Sequence, residues 1–286
     1  MKDLHDVVLD ALALHASYEI PEFQFDNTGP RLVVASGNAL PTGHILHHDD
    51  NAVFANETHY VNALTKHPEL TCATVVSASG EKHSPIIVKD LMSRGLDVTL
   101  VTCEPSSSAA QLLPASAVCV TRAEPEPITY NTSTYLGIVL AKTRENPAAI
   151  REHILDVVRP TIPDFSDMAA FYILVDPAYD IIREMFITKF DELFGGRVAA
   201  RCFTTEQTLH AKTVVPWERE IFIALGAENK HFGEHRYTAP LTKEPGFAAT
   251  IAVGYYVIGH IQAQFPPYFK QHAEEYARIQ KSFFEA

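Results

Sequence analysis

The segment 71–85, TCATVVSASGEKHSP, constrains the possible folds more than any other part of the chain. Its first half is a short apolar run rich in β-branched residues, which predicts a buried strand. Residues 77–80 (SASG) then predict a turn, and Pro85 stands where the first turn of a helix tolerates proline. A strand that runs into a helix points free backbone N–H groups at one place, and the hydroxyls of Ser77 and Ser79 add donors to it. The segment therefore predicts either a phosphate site or an ordinary turn in which the serines only cap the helix.

The acidic charge of the chain narrows the choice of partners. There are 35 Asp and Glu residues against 23 Lys and Arg residues, for a formal net charge of -12. Nucleic acid and anionic membrane surfaces both require a basic face, so neither is expected as a partner. A small anionic ligand would have to be captured by local geometry instead.

The remaining composition predicts a globular cytoplasmic protein without a metal or other cofactor. The chain has 286 residues, 47% of them hydrophobic, and no apolar run approaches the roughly 20 residues of a membrane span. Its acidic start does not resemble a signal peptide. The four cysteines show no metal-binding spacing and predict reduced thiols, and the HHDD run at 47–50 predicts a solvated turn rather than a metal site.

Apolar runs alternate with helical periodicity along the whole chain. Strands are predicted at 31–35, 51–55, 73–76, 96–102, 117–120, 171–175, 198–203 and 221–225, and helices at 2–17, 135–142, 179–193, 247–261 and 268–284. This alternation predicts mainly parallel, doubly wound sheets that bind ligands at the carboxyl ends of their strands. The proline-containing run 158–168 is the best candidate for a link, which gives predicted domains 1–160 and 165–286.

Three short motifs resemble those of the sugar isomerase (SIS) family of phosphosugar-binding proteins. Residues 77–81 (SASGE) match the Ser-x-Ser-Gly-Glu phosphate loop, 37–43 (GNALPTG) stand where the family has a Gly-Thr-Ser loop, and Glu126 followed by Asn131-Thr132 resembles a Glu…Ser-Thr segment. The match is to the double-SIS type, as in the isomerase half of glucosamine-fructose-6-phosphate aminotransferase and related deglycases. The resemblance implies two flavodoxin-like α/β/α sandwiches. It also implies substrate binding by Gly37, Asn38, Ser77, Ala78, Ser79, Lys82, Asn131 and Thr132.

The resemblance also implies four catalytic residues. Lys189 and Glu192 keep the family's spacing of three, His210 follows the next predicted strand, and Gln280-Lys281-Ser282 is similar to a terminal Ala-Lys-Ser. An aldose–ketose shift needs a carboxylate to carry a proton between C1 and C2, an imidazole to open the ring and an ammonium to stabilise the enediolate. From the residues alone, Glu192 is equally well read as part of a solvated charge cluster, and Lys281 and His210 as surface groups.

The implied function is that of an isomerase, or of a deglycase or aminotransferase-type enzyme, acting on a phosphorylated ketose or amino-sugar. Three departures favour an alternative, a non-catalytic protein that binds a phosphosugar and regulates a partner: Ala39 lacks the first loop's hydroxyl, Lys82 replaces a threonine, and Ala211-Lys212 replaces a Gly-Pro. In the family the histidine enters from a neighbouring subunit. A homodimer is therefore expected, with a dimer of dimers left open.

Overall fold

The computed structural model describes residues 1–25, 29–226 and 228–282, with side chains as far as residue 280. The strands are β1 (Arg31–Ala35), β2 (Ala52–Ala55), β3 (Cys72–Val76), β4 (Asp97–Thr102), β5 (Val118–Val120), β6 (Ala170–Val175), β7 (Ala199–Thr204), β8 (Glu220–Leu225) and β9 (His235–Ala239). The α-helices are α1 (Leu4–Ala16), α2 (Ala39–Leu46), α3 (Tyr60–Lys66), α4 (Ser84–Ser93), α5 (Thr132–Thr143), α6 (Pro147–His153), α7 (Arg183–Phe194), α8 (Thr205–Thr208), α9 (Phe247–Gln264) and α10 (Tyr268–Ser282).

The first sheet has five parallel strands in the order β2-β1-β3-β4-β5. Its central strands β1 and β3 are buried at every position, because helices cover both faces of the sheet. They pair in register, with Leu32 opposite Ala73. The strand order reverses between β1 and β3, so the loops after these two strands leave the sheet at the same edge.

The second sheet has four parallel strands in the order β7-β6-β8-β9. Strands β6 and β8 are buried throughout and lie at the centre. The sequence did not predict β9, an edge strand in which only Tyr237 and Ala239 are buried. A half-exposed edge strand carries no continuous apolar run, which is the signal that identified the others.

The predicted fold class, α/β sandwiches with parallel sheets, is confirmed. Two helix starts differ from prediction. Helix α7 begins at Arg183, after a 3-10 turn over Pro177–Ile182. Helix α5 begins at Thr132 rather than 135, because the Glu126 carboxylate accepts a hydrogen bond from the Thr132 backbone N–H at 2.5 Å and caps the helix from outside.

The chain forms two compact units that are not continuous in sequence. The five-stranded unit comprises 17–124 and 133–144, and the four-stranded unit comprises 1–16, 125–132 and 145–286. The predicted link at 158–168 thus lies inside the four-stranded unit. The boundaries 1–160 and 165–286 stay a prediction about which segments fold independently.

Helix α9 is the core of the four-stranded unit, and it is buried along most of its length. Helix α1 packs against it so closely at Gly259 that a Cβ atom there would collide with the backbone nitrogen of His5. The Leu4 N–H also donates to Gln262 Oε1 at 2.8 Å. No described helix, α9 included, is both long enough and apolar enough to cross a bilayer.

Candidate functional site

The loop between β3 and α4 holds the hydroxyl of Ser77 in a defined role. Its oxygen accepts hydrogen bonds from the Gly80 N–H at 3.2 Å and from the Ser84 hydroxyl at 2.8 Å. Ser84 in turn belongs to α4 and is buried. Because both acceptor positions of the Ser77 oxygen are occupied, its own hydrogen remains to be donated to a ligand. The sequence identified Ser77 and Ser79 but missed Ser84, which orients Ser77.

The same loop depends on glycine at position 80. Gly80 has a φ of +63°, and a Cβ atom there would collide with the Ser107 hydroxyl in the loop after β4. The Ala109 N–H donates to the Gly80 carbonyl at 3.0 Å. Lys82 also has a left-handed backbone, with φ +59°, and is exposed. The loop is therefore tightly curled, with its N–H groups gathered on one side.

Glu81 connects the phosphate loop to the neighbouring loop. Its carboxylate accepts a hydrogen bond from the Ser108 N–H at 2.8 Å, and hydrogen bonding by Ser108 lowers the Glu81 pKa. Ser106, Ser107 and Ser108 follow β4 as a serine run, which was the available sequence signal for this second loop.

The loop after β1 contributes Gly37 and Asn38. Gly37 has a φ of +53°, and Asn38 is buried with its Oδ1 lacking a hydrogen-bond partner among the described residues. Ala39 does not belong to this loop as expected, because α2 already begins there. Buried polar atoms normally have a partner, so Asn38 Oδ1 is available to a donor on a ligand.

In the four-stranded unit, Lys189 and Glu192 form a buried ion pair on α7. The Lys189 Nζ lies 2.6 Å from Glu192 Oε2 and donates to the Thr129 carbonyl at 2.7 Å. The Lys189 side chain has no solvent exposure, whereas 22% of the Glu192 side chain is exposed. Glu192 lines a cavity of about 580 Å³. Glu192 is thus the member of the pair that reaches the cavity, with Lys189 held behind it.

Burial sets the protonation behaviour of this pair. Desolvation raises the pKa of Glu192 and lowers the pKa of Lys189, against the attraction between the two groups. A carboxyl group whose pKa is raised toward neutrality both accepts and returns a proton readily. The solvated charge cluster considered from sequence does not form, since Lys189 is inside the core.

The segment above the pair has a strained backbone. Thr129 and Asn131 have φ values of +75° and +46°, on either side of the fully buried Tyr130. Tyr130 is fixed by a hydrogen bond from the Gln262 amide at 2.9 Å. A β-branched residue at positive φ is uncommon and is kept only where its surroundings impose it. Here the strain directs the Thr129 carbonyl toward Lys189.

The remaining predicted site residues are placed separately. Asn131 is exposed, and Thr132 is buried with its Oγ1 unpartnered among the described residues. His210 is exposed in a turn after α8, and its imidazole forms no hydrogen bond or ion pair within the described ranges. Lys281 lies on α10, but its side chain is outside the described residues.

No group of three metal-ligating side chains occurs in the described part of the chain. The expected solvated turn at 47–50 is wrong for its first residue. The His47 side chain is fully buried, bonds Asp50 through Nδ1 at 2.6 Å and stacks against Phe25.

No protein-family model matches the chain, and no curated protein matches its sequence. Solved structures do match. Glucosamine-6-phosphate deaminase from Thermotoga maritima has a TM-score of 0.61 at 13% identity, with 91% of each chain covered. Tagatose-6-phosphate ketose/aldose isomerase from Escherichia coli has a TM-score of 0.59 at 10% identity, covering 92% of this chain and 88% of that one. The C-terminal domain of glucosamine-fructose-6-phosphate aminotransferase from Francisella tularensis has a TM-score of 0.55 at 12% identity, covering 91% and 94%. The chain therefore has the fold that these three proteins share.

Proposed function

We propose that the protein is an enzyme that moves a proton between C1 and C2 of a phosphorylated ketose or amino-sugar. The observation that carries this proposal is Glu192, a cavity-lining carboxylate with a raised pKa and a buried lysine behind it. Such a group suits proton transfer at carbon. We assign the substrate's phosphate to the Ser77–Lys82 loop of the five-stranded unit, whose N–H groups and hydroxyls are donors.

Each charged residue then has a distinct task. Glu192 takes the proton from one carbon and returns it to the next. Lys189 keeps Glu192 in place and supplies positive potential as negative charge develops on the enediolate. We assign ring opening to His210 and a second positive charge to Lys281. Because Lys189 is wholly buried, its task is to position Glu192 rather than to touch the sugar.

The same proton transfer supports two reactions. In an isomerase it interconverts a 2-ketose and an aldose. In a deglycase it converts a 1-amino-2-ketose into an imine at C1; water then adds to C1 and the C–N bond breaks, releasing the amine. Neighbours that share the fold include proteins named for an isomerase and for a deaminase, which supports this range of chemistry.

A regulatory protein that only binds a phosphosugar is the second candidate. The observation that favours it is Ala211, which has a φ of +59° where the family has a glycine after its histidine. Only a small fraction of non-glycine residues adopt this conformation. The His210 turn is thus altered at the residue that would orient the imidazole.

Turnover followed by NMR decides between the two candidates. Hexose 6-phosphates and 1-amino-1-deoxyfructose 6-phosphate are first screened for binding by thermal shift, and each ligand that binds is then incubated with the protein in D₂O. An isomerase or deglycase incorporates deuterium at C1 or C2 and accumulates product. Binding without exchange or product at any pH would instead establish the regulatory reading.

We also propose a two-fold dimer in which His210 serves the partner's site. His210 is exposed and lies beside Leu209, Val214 and Val215, whose exposed fractions are 70%, 73% and 82%. Such an apolar segment is consistent with a contact between subunits. Mixing His210→Ala with Glu192→Gln subunits should restore about a quarter of the wild-type rate, since half of the randomly formed dimers contain one intact site. Absence of complementation despite demonstrated subunit exchange would exclude a shared site.

A further inference from the structure

The cavity beside Glu192 contains an arginine that nothing above uses. Arg197 follows the Gly195-Gly196 turn at the end of α7, and its guanidinium lies 4.7 Å from the ring centre of Tyr268 on α10. It forms no ion pair or hydrogen bond with any residue that the structure describes. An arginine without an acidic partner is notable in a chain of net charge -12. Stacking on tyrosine holds its planar group in place while leaving the N–H donors open.

The rest of the cavity wall is poorly suited to a sugar. Apolar and aromatic side chains dominate it, with Phe194, Phe269 and Ala273 lying deep and Tyr276 at the rim. Sugar hydroxyls buried against such a wall would lose their hydrogen bonds to water without replacement. The wall instead suits a hydrocarbon chain or an aromatic ring. Arg197, with its open donors, would then bind an anionic group at the end of that apolar body.

The position of Glu192 specifies how such a group is attached. Glu192 is proposed to act at C1 and C2 of the sugar, so a substituent on a C1 nitrogen would start at Glu192 and extend into this cavity. The neighbouring Asp191 and Glu192 are both acidic, and Arg197 is the cation that lets a second anion enter beside them. A carboxylate matches the planar guanidinium with two parallel hydrogen bonds.

We propose that this cavity is a subsite for the nitrogen substituent of an amino-sugar phosphate, and that it selects an apolar substituent ending in a carboxylate. Arg197 is its specificity-determining residue, and Tyr268 positions the guanidinium. The assignment of the ligand as a substrate substituent rests on the proposed function, whereas the carboxylate subsite itself is testable without turnover.

The binding experiment uses 3-phenylpropanoate and 3-phenylpropan-1-ol, which share an apolar body and differ in the carboxylate. Calorimetry should show the acid binding to the wild-type protein about tenfold or more tightly than the alcohol. Arg197→Gln should abolish that preference, and Arg197→Lys should restore part of it. Arg122→Gln is the matched control, because Arg122 also stacks on a tyrosine, Tyr18 at 4.4 Å, but lies outside this cavity. Equal binding of acid and alcohol, or an unchanged preference in Arg197→Gln at an unchanged melting temperature, would overturn the subsite.

The turnover experiment separates this inference from the proposed function. Two substrates are compared, 1-amino-1-deoxyfructose 6-phosphate carrying a 5-carboxypentyl group or a hexyl group on nitrogen. We expect kcat/KM to favour the carboxylate about tenfold in the wild type and neither in Arg197→Gln. Equal turnover of both substrates would remove the subsite and leave the proposed function standing. If nothing is turned over but the acid still binds through Arg197, the enzyme proposal fails and the assignment to a nitrogen substituent fails with it, while the carboxylate subsite stands.

Discussion

The two sheets share one strand order, 2-1-3-4 in each unit, but the structures at their carboxyl ends differ. In the five-stranded sheet, β1 and β3 each lead into a helix, and the Ser77–Lys82 loop turns into α4. In the four-stranded sheet, the connection from β8 to β9 contains no helix across its described residues, 226 and 228–234. The helix that follows β9 is α9, and its N-terminus is already occupied by a carboxylate of the chain itself.

That carboxylate is Glu145. It accepts hydrogen bonds from the N–H groups of Gly246, Ala248 and Ala249 at 3.0, 2.8 and 3.0 Å. These are the donors that an external phosphate would use. The comparison shows how one topology supports two kinds of site: the first unit keeps its anion-binding geometry open, and the second fills it and carries a buried Lys–Glu pair instead.

If chemistry belongs to the four-stranded unit, Glu192→Gln should have the largest effect. The amide cannot accept the proton, so we expect turnover of the substrate to fall by about 10²- to 10⁴-fold. Phosphosugar affinity, which depends on the other unit, should change little. Asp191→Asn is the control, since it removes an adjacent exposed charge. A Glu192→Gln protein with normal turnover and an intact fold would move the chemistry elsewhere.

If anion binding belongs to the five-stranded unit, removing the loop hydroxyls should weaken it. For Ser77→Ala combined with Ser79→Ala, each lost hydrogen bond to the phosphate should cost about 1.5–3 kcal/mol. The fold should remain, because both side chains are at least partly exposed. Calorimetric titration with a hexose 6-phosphate measures the loss, with exposed Ser116→Ala as the control. Unchanged affinity would place the phosphate at another site.

The filled N-terminus of α9 predicts an effect on stability alone. Glu145→Ala leaves three N–H groups without their acceptor and should lower the free energy of unfolding by about 1–3 kcal/mol. Urea denaturation measures this, and Glu152→Ala on the exposed face of α6 should be close to neutral. Phosphate added to the Glu145→Ala protein is a sharper test, since stabilisation by phosphate would show that the second unit has regained an anion site.

The smallest expected effect is on pH dependence. His260 on α9 stacks on His5 at 4.4 Å and packs against Tyr256, with the carboxylates of Asp3 and Asp6 nearby. Burial, with a contribution from His5, lowers the pKa of His260 to about 4. Because the folded-state pKa lies below the unfolded value of about 6.5, this stabilising contribution is complete above pH 6.5 and is lost as the pH falls toward 4.

His260→Phe retains the ring packing and removes the titration. Its melting temperature should therefore fall less steeply between pH 6.5 and 4 than that of the wild type. The same change at His235, which is exposed on β9, should leave the slope as it was. Identical slopes for His260→Phe and the wild type would show that His260 does not carry the acid sensitivity.

The sequence predicted the parts of the fold that depend on local pattern. Strands β1, β3, β6 and β8 are buried on both faces and appear as continuous apolar runs, so they were found. The edge strand β9 is half exposed and has no such run. The Ser-x-Ser-Gly loop was also found, because its glycine and hydroxyls are required by a turn of a few residues.

The parts that were missed depend on contacts between distant residues. Whether Lys189 is solvated or buried is decided by Thr129, 60 residues away, and by α9. The cap of α9 comes from Glu145, about 100 residues earlier in the chain. Such partners leave no periodic signal in the sequence around either residue, so only the folded chain brings them together.

The packing of α1 on α9 has a consequence for synthesis on the ribosome. Helix α1 leaves the ribosome first, yet the helix that covers it at Gly259 is made more than 200 residues later. The five-stranded unit ends at residue 144 and has its full set of strands long before then. During translation the apolar face of α1 must therefore wait without its partner while the other unit completes its sheet. That interval exposes Leu4, Val8 and Leu12 to solvent, and it makes the nascent chain a substrate for chaperones until α9 emerges.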